Sequence, residues 1–321
     1  MLSIGEWTVM GFWEIMASLS VIVILVLAGF VFAKKGWITK QTAPLLPQLV
    51  NRLALPTYMI WNFLTKFDKE YFFSIVDGII VPYSAMLISF ALSGLFGRYY
   101  QVPKARYGIF RSGFFASSAI FIGVPVCLAL FGDESIPYVL IYFLANASLF
   151  WTLGNYSMSK SGTKGANYPF FSRHTLKLIF SPPLVSFICA LILVVLEVRL
   201  PVFVLESFKY LGSMVIPLSM IFIGYTLSTV EFKDLRFTKD VNVLLLGRFV
   251  VSPLLALGLG LCFDLPPMMR QVFVVLSALP AMAQLPIMAS VYGVDVKYAA
   301  ISVSITTLLC LFVIPVYMLL F

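Results

Sequence analysis

The stretch Ser117–Glu134, SSAIFIGVPVCLALFGDE, is apolar enough to dissolve in a lipid bilayer, yet Gly123 and Pro125 fall in its middle. A proline removes one backbone donor and turns the residue before it, here Val124, away from helical geometry, while a glycine weakens the same turn. A helix crossing a membrane is therefore expected to unwind near this point. In hydrocarbon such a break persists only where protein or a water-filled cavity surrounds it, so a second element is expected to cover it.

The surrounding chain reads as membrane throughout. Its 321 residues are 61% hydrophobic and 11% charged, with a mean hydropathy of +0.99, far outside the range of a soluble domain. A spanning helix needs about 20 mostly apolar residues, and ten such segments are predicted, at 12–33, 43–65, 72–97, 107–131, 136–158, 175–196, 203–228, 241–263, 269–292 and 297–320. The longest polar stretch is the loop 159–173, so no soluble domain is expected. The N-terminus carries Glu6 and Glu14 and no basic run ahead of its first span, which argues against a cleaved signal peptide.

With the N-terminus outside, thirteen of the 22 Lys and Arg residues fall in cytoplasmic loops and five outside, which sets the expected orientation. Both termini then face out. The net charge of +8 is explained by loops facing anionic lipid, so no nucleic-acid partner is expected. Cys127, Cys189, Cys262 and Cys310 lie within spans without metal-ligand spacing, and the only histidine, His174, reads as an interfacial cap or headgroup contact. No cluster supplies a nucleophile and base or a metal ligand set, so catalytic residues, metal and cofactor are all expected to be absent.

The chain repeats itself. LALPTYMI around Pro56 recurs as MVIPLSMI around Pro217, and GVPVCLALFG around Pro125 as QLPIMASVYG around Pro286, both at an offset of 161 residues. Gly132 and Gly293 share that offset. Each half would hold five spans, and an odd number forces the second half to insert upside down, giving an inverted repeat. The ninth span is then predicted to break between Pro280 and Pro286, as the fourth does at Pro125. One proline alone is as readily a kink, but equivalent breaks in inverted halves point to a substrate site near the bilayer midplane. Arg52, with Asn51 beside it, and Arg248 lie well inside spans, while Arg111 is nearer a surface; each either attracts an anion or snorkels to the interface.

NRLALPTYMI, SSAIFIGVPVCLALFGD, LGSMVIPLSMIFIGYTLS, GRFVVSPLLAL and LPAMAQLPIMASVYGVD together resemble the auxin efflux carrier family in its bacterial branch, which includes malate and malonate permeases. The resemblance covers nearly the whole chain. It implies two inverted five-helix repeats, 1–158 and 174–321, joined by a short cytoplasmic linker at 159–173, with a scaffold and a transport domain each drawn from both repeats. It also implies that the fourth and ninth helices are broken and cross, and that the chain forms a homodimer. Where many members carry an asparagine seven residues before the crossover proline, this chain has Ser118; the ninth helix offers Gln284.

The chemistry of that crossing suits an organic anion. Half-helices starting near Val124 and Leu285 would turn free N–H groups and positive dipole ends toward it, and each end could meet a carboxylate. Ser117, Ser118, Gly123, Val124, Pro125, Pro280, Gln284, Leu285 and Pro286 are the candidate binding residues, with Asn51 and Arg52 behind them and Arg111 and Arg248 as sources of attraction. Ser118 alternatively back-bonds within its own helix. No acidic residue lies near the breaks, which speaks against a cation-proton antiporter and against sodium coupling. The resemblance implies a plasma-membrane carrier of L-malate, by electrogenic uptake or by exchange for lactate. Malonate, monocarboxylates and auxin-like acids remain rivals, and an anion channel is the alternative of another class.

Overall fold

A computed structural model describes residues 10–66, 75–163, 180, 182–229 and 237–319. Regular structure among them is helical, apart from one isolated antiparallel bridge between Ser117 and Ala281. Among the described residues, five continuous helical stretches are long and apolar enough to cross a bilayer: Val76–Tyr99, Asp133–Ser161, Val202–Ser228, Lys239–Cys262 and Val296–Tyr317. These coincide with the third, fifth, seventh, eighth and tenth spans expected from sequence. The other expected spans fall on helices that are shorter, interrupted or only partly described. Most of the 159–173 linker, from 164 onward, and His174 lie outside the described residues.

In chain order the helices are α1 (Met10–Lys34), α2 (Leu45–Leu49), α3 (Leu55–Lys66), α4 (Ile80–Tyr99), α5 (Lys104–Phe115), α6 (Val124–Phe131), α7 (Ile136–Leu149) and α8 (Asn155–Ser161). Then follow α9 (Pro182–Val195), α10 (Val202–Ser213), α11 (Val215–Ser228), α12 (Lys239–Leu246), α13 (Ser252–Cys262), α14 (Pro267–Ser277), α15 (Leu285–Tyr292) and α16 (Val296–Leu319). Among the described residues four π turns interrupt the helices, at Val50–Ala54, Ala119–Gly123, Phe150–Gly154 and Gly247–Val251. Three of them end two residues before a proline, Pro56, Pro125 and Pro253. The reason is local. Proline has no N–H for the carbonyl four residues back and its ring clashes with it, and a turn bonded to the fifth residue back widens the helix there without ending it.

This relocates the break in the opening stretch. The fourth span does not unwind at Gly123 and Pro125, as the sequence suggested. α5 ends at Phe115, Ala116 is extended (φ −90°, ψ 129°), Ser118 leaves helical geometry (φ −78°, ψ 56°), and helix resumes at Ala119. The Ser118 carbonyl accepts from the amides of both Ile122 and Gly123, at 3.2 Å each, which opens the π turn and lets Pro125 sit inside a continued helix. Val124 starts α6 rather than the half-helix itself. In the ninth span the break runs from Ala278 to Gln284, and α15 begins at Leu285, one residue before Pro286. There the proline occupies the first turn, where its missing donor costs nothing. Gly132 (φ 72°) and Gly293 (φ 67°) close α6 and α15 with backbone that disfavours any side chain.

α1 packs along α11, and α3 against α9 and α10. The contact between α1 and α11 is backbone to backbone: a Cβ added at Gly224 would overlap the Val26 carbonyl and lie 2.6 Å from Phe30 N, and one at Gly29 would lie 2.7 Å from Ile221 Cα. α4 packs on α5, α7 and α13, α5 on α8, and α14 on α7 and α13. Between these two groups, α6 and the C-terminal helix α16 meet α1 and α11. The Tyr58 hydroxyl of α3 also crosses, donating to Asp133 Oδ1 at 2.7 Å, with Lys66 Nζ 3.9 Å from the same carboxylate.

At the other end of the molecule, Arg106 at the start of α5 reaches Asp295 Oδ2 at 2.8 Å and Asp240 Oδ2 at 3.1 Å. Arg106 and Asp295 border a cavity of about 290 Å³ that Thr238, Lys297 and Tyr298 also line. Burial pushes the Asp295 carboxyl up, but the Tyr298 amide at 2.9 Å and the Arg106 guanidinium outweigh it and hold the group below the usual carboxylate range. A depressed folded pKa stabilises above the unfolded value, near 3.9, and is lost as pH falls through the folded one. Thermal unfolding of detergent-solubilised protein is expected to show the wild type losing more stability than Asp295→Asn between roughly pH 5 and pH 2. Parallel losses in the two proteins would remove Asp295 as the cause.

Candidate functional site: the paired helix breaks

The two breaks lie against each other. Besides the Ser117–Ala281 bridge, the Ser118 amide donates to the Pro280 carbonyl at 3.0 Å. Antiparallel pairing of short extended segments satisfies backbone groups that each helix gave up, as buried backbone requires.

Each break is also held from a neighbouring helix. Asn146 of α7, fully buried, accepts from the Ser117 amide at 2.9 Å and donates to the Ser117 carbonyl at 2.8 Å. Thr306 of α16 accepts from the Ala281 amide at 3.2 Å and donates its own proton to the Ser302 carbonyl at 2.8 Å. A single stretch around the fourth π turn caps both upstream half-helices. Ser252 Oγ donates to the Phe114 carbonyl near the end of α5 at 3.2 Å, and Arg248 donates through Nε (3.2 Å) and Nη2 to the Ser277 carbonyl that ends α14. These are terminal carbonyls without an intrahelical partner, at the negative end of the helix dipole.

Two polar groups at the breaks are left over. Ser118 Oγ is buried and makes no hydrogen bond, which settles the alternative of back-bonding within its own helix against it. Arg248 is fully buried and its Nη1 makes none either. The Tyr142 hydroxyl faces the Arg248 guanidinium and accepts from Ser117 Oγ at 3.4 Å, so polar groups run from the arginine to the break. Next to this core, an apolar cleft between α1, α6, α11 and α16 is lined by Val26, Ile122, Val126, Met220, Thr307 and Cys310.

Of the residues singled out from sequence, Ser117, Ser118 and Pro280 lie in the breaks, and Gln284, half-buried, precedes α15, whose first turn holds Leu285 and Pro286. Gly123, Val124 and Pro125 lie inside continued helix, five or more residues beyond Ser118. Gly123 is closely packed: a Cβ there would lie 2.6 Å from a Leu276 methyl. Arg52 is exposed on the first π turn, which packs among α9, α10 and α11, and Asn51 beside it is half-buried. Arg111 packs on α4, its guanidinium carbon 3.6 Å from the centre of the Phe90 ring and Nη2 donating to the Phe90 carbonyl at 3.1 Å. Asn146, Thr306, Tyr142 and Ser252 were missed. Their signal was present as polar side chains in the middle of apolar spans, which demand partners in hydrocarbon.

Among the described residues no group of three or more His, Cys, Asp or Glu side chains converges to hold a metal. The chain is 26% identical to a protein described as an uncharacterized transporter from Methanocaldococcus jannaschii, over 92% of this chain and 96% of the relative. It is 25% identical to another, from Methanothermobacter thermautotrophicus, over 92% and 95%. Residues 14–318 match the membrane transport protein family. With nearly every span inside that match and the helices broken where the sequence motifs resemble those of auxin carriers, the chain belongs to the membrane transport protein family, that of the auxin efflux carriers.

Proposed function

We propose that this membrane transporter carries small organic anions by alternating access, with the paired breaks as its substrate site. The observation that carries the reading is the buried, unbonded Ser118 hydroxyl at the start of the half-helix that resumes at Ala119. The first amides of a helix have no intrahelical partners and lie at the positive end of its dipole. A carboxylate placed there takes hydrogen bonds from the hydroxyl and from those amides, and the first turn of α15 offers a second such end across the break. Two ends suit a dicarboxylate of malate size, which makes L-malate the first substrate to test and malonate and lactate the next.

The reading includes ten spans in two inverted five-helix repeats. Its support is that α6 and α15 are both eight residues long, start 161 residues apart and end at positive-φ glycines, while their breaks pair antiparallel. The helices α1, α3, α9, α10 and α11 would form a dimeric scaffold, and the remainder a body that moves along it. The Tyr58–Asp133 contact joins the two groups and would have to break in that motion. Placing the Arg106 end in the cytoplasm and both termini outside, in the plasma membrane, follows the excess of basic residues in those loops.

Counterflow of radiolabelled L-malate into proteoliposomes preloaded with malate, malonate, lactate or acetate tests the reading. Saturable exchange is expected, weakened about tenfold or more in Ser118→Ala, the loss for one hydrogen bond to a charged group. Absence of exchange with every acid, by demonstrably folded protein, would end the anion assignment. Flux that never saturates and shows no counter-transport would favour a channel instead.

A further inference from the structure

We infer that Arg248 is a direct ligand of the transported anion and supplies the fixed positive charge of the site. This rests on the organic-anion reading above and names the residue that neutralises the carboxylate. An arginine stays protonated in a protein, so its complete burial places a full charge among spans. Buried charges are ordinarily paired. Arg106 is paired with Asp240 and Asp295, and Lys66 with Asp133, but among the described residues no ion pair reaches Arg248.

Its charge is met only in part. Nε and Nη2 both converge on one acceptor, the Ser277 carbonyl, which fixes the plane of the guanidinium at the end of α14. Nη1 has no hydrogen-bond partner, and the Tyr142 hydroxyl that faces the guanidinium is a neutral group that brings no countercharge. A guanidinium that needed only to cap a helix would have no use for burial with one nitrogen unbonded, since an orphaned buried donor costs free energy. A carboxylate arriving at the break supplies the missing acceptor and the missing negative charge together, in the geometry that guanidinium forks bind best. The bound state then carries a paired ion and the empty state an unpaired one. The body that holds Arg248, α14 and the two breaks thus has a lower electrostatic cost of moving through the membrane when loaded, which favours exchange over net leak.

The test is binding by full-length protein in detergent, read by thermal shift, with acetate, L-lactate, malonate and L-malate as probes. At least one of them is expected to raise the wild-type Tm in a saturable way. In Arg248→Met, with the same elution volume and helical content, the apparent Kd is expected to rise on the order of 100-fold, and in Arg248→Lys about tenfold because charge is kept but the fork is lost. Binding within threefold of wild type in either folded variant overturns the inference while leaving anion transport standing. If Arg248→Met does not fold, the Arg248→Lys result decides. A wild-type protein stabilised by none of the four acids overturns the transport reading itself, and this inference with it.

Discussion

Asn146→Leu is expected to abolish exchange and to lower stability by roughly 2–5 kcal/mol, the largest effect of any substitution near the site. The side chain is fully buried and both of its polar atoms are used, each on the backbone of Ser117. Leucine fills the volume but leaves one amide and one carbonyl without partners where water does not reach, at a cost of about 1–3 kcal/mol each. The released segment carries Ser118, whose amide bonds the Pro280 carbonyl of the opposite break, so loss of one clamp loosens both halves of the site. Asn146→Asp, which can accept from the Ser117 amide but has no amide proton for its carbonyl when ionised, is expected to be as damaging. Thermal stability in detergent and counterflow in liposomes would show it. Wild-type exchange by Asn146→Leu would mean that the break is held by its bridge to Ala281 alone.

Gly224→Val is expected to prevent assembly rather than slow transport. The α1–α11 crossing brings main chain to main chain at Gly29 and Gly224, and the atoms an added Cβ would strike are the Val26 carbonyl and the Phe30 amide, neither of which can rotate aside. Ordinary overpacking of side chains costs about 1–3 kcal/mol; displacing a helix backbone costs more, and between membrane helices there is little hydrophobic drive to restore the contact. Gly258→Val is the matched control, because nothing lies within 4 Å of a Cβ at Gly258. Size-exclusion profiles of detergent extracts should show a monodisperse peak for Gly258→Val and aggregate or no peak for Gly224→Val. Equal peaks would show that α1 shifts along α11 at little cost.

The family, the membrane class and the long spans were legible in the sequence because they rest on local properties. Twenty apolar residues in a row fix a crossing by transfer free energy alone, and Val76–Tyr99 or Lys239–Cys262 needs no partner to be recognised. The prolines were legible too, as points where the ladder of hydrogen bonds must change. α6 and α15 each start one residue before a proline, run eight residues and end at a positive-φ glycine.

How each proline is absorbed was not local. Pro125 and Pro286 stand at the same place in the repeat, yet one is preceded by a π turn that moves its break back to Ser118 and the other begins its helix. A lost donor can be accommodated by widening the helix or by ending it, and the choice falls to whatever neighbouring groups satisfy the freed backbone. Asn146 and Thr306 make that choice here from helices α7 and α16, 29 and 25 residues away along the chain. The same holds for the arginines. Arg52 and Arg248 read alike in the sequence, deep in apolar spans, with Arg111 nearer a surface, and only packing turned the first outward, buried the second against Ser277 and laid the third on Phe90. The sequence by itself determined where the chain enters lipid and where its helices must yield. Tertiary structure decided which residues face the yielding points, because hydrogen bonds and burial depend on partners distant in sequence and periodicity carries no record of them.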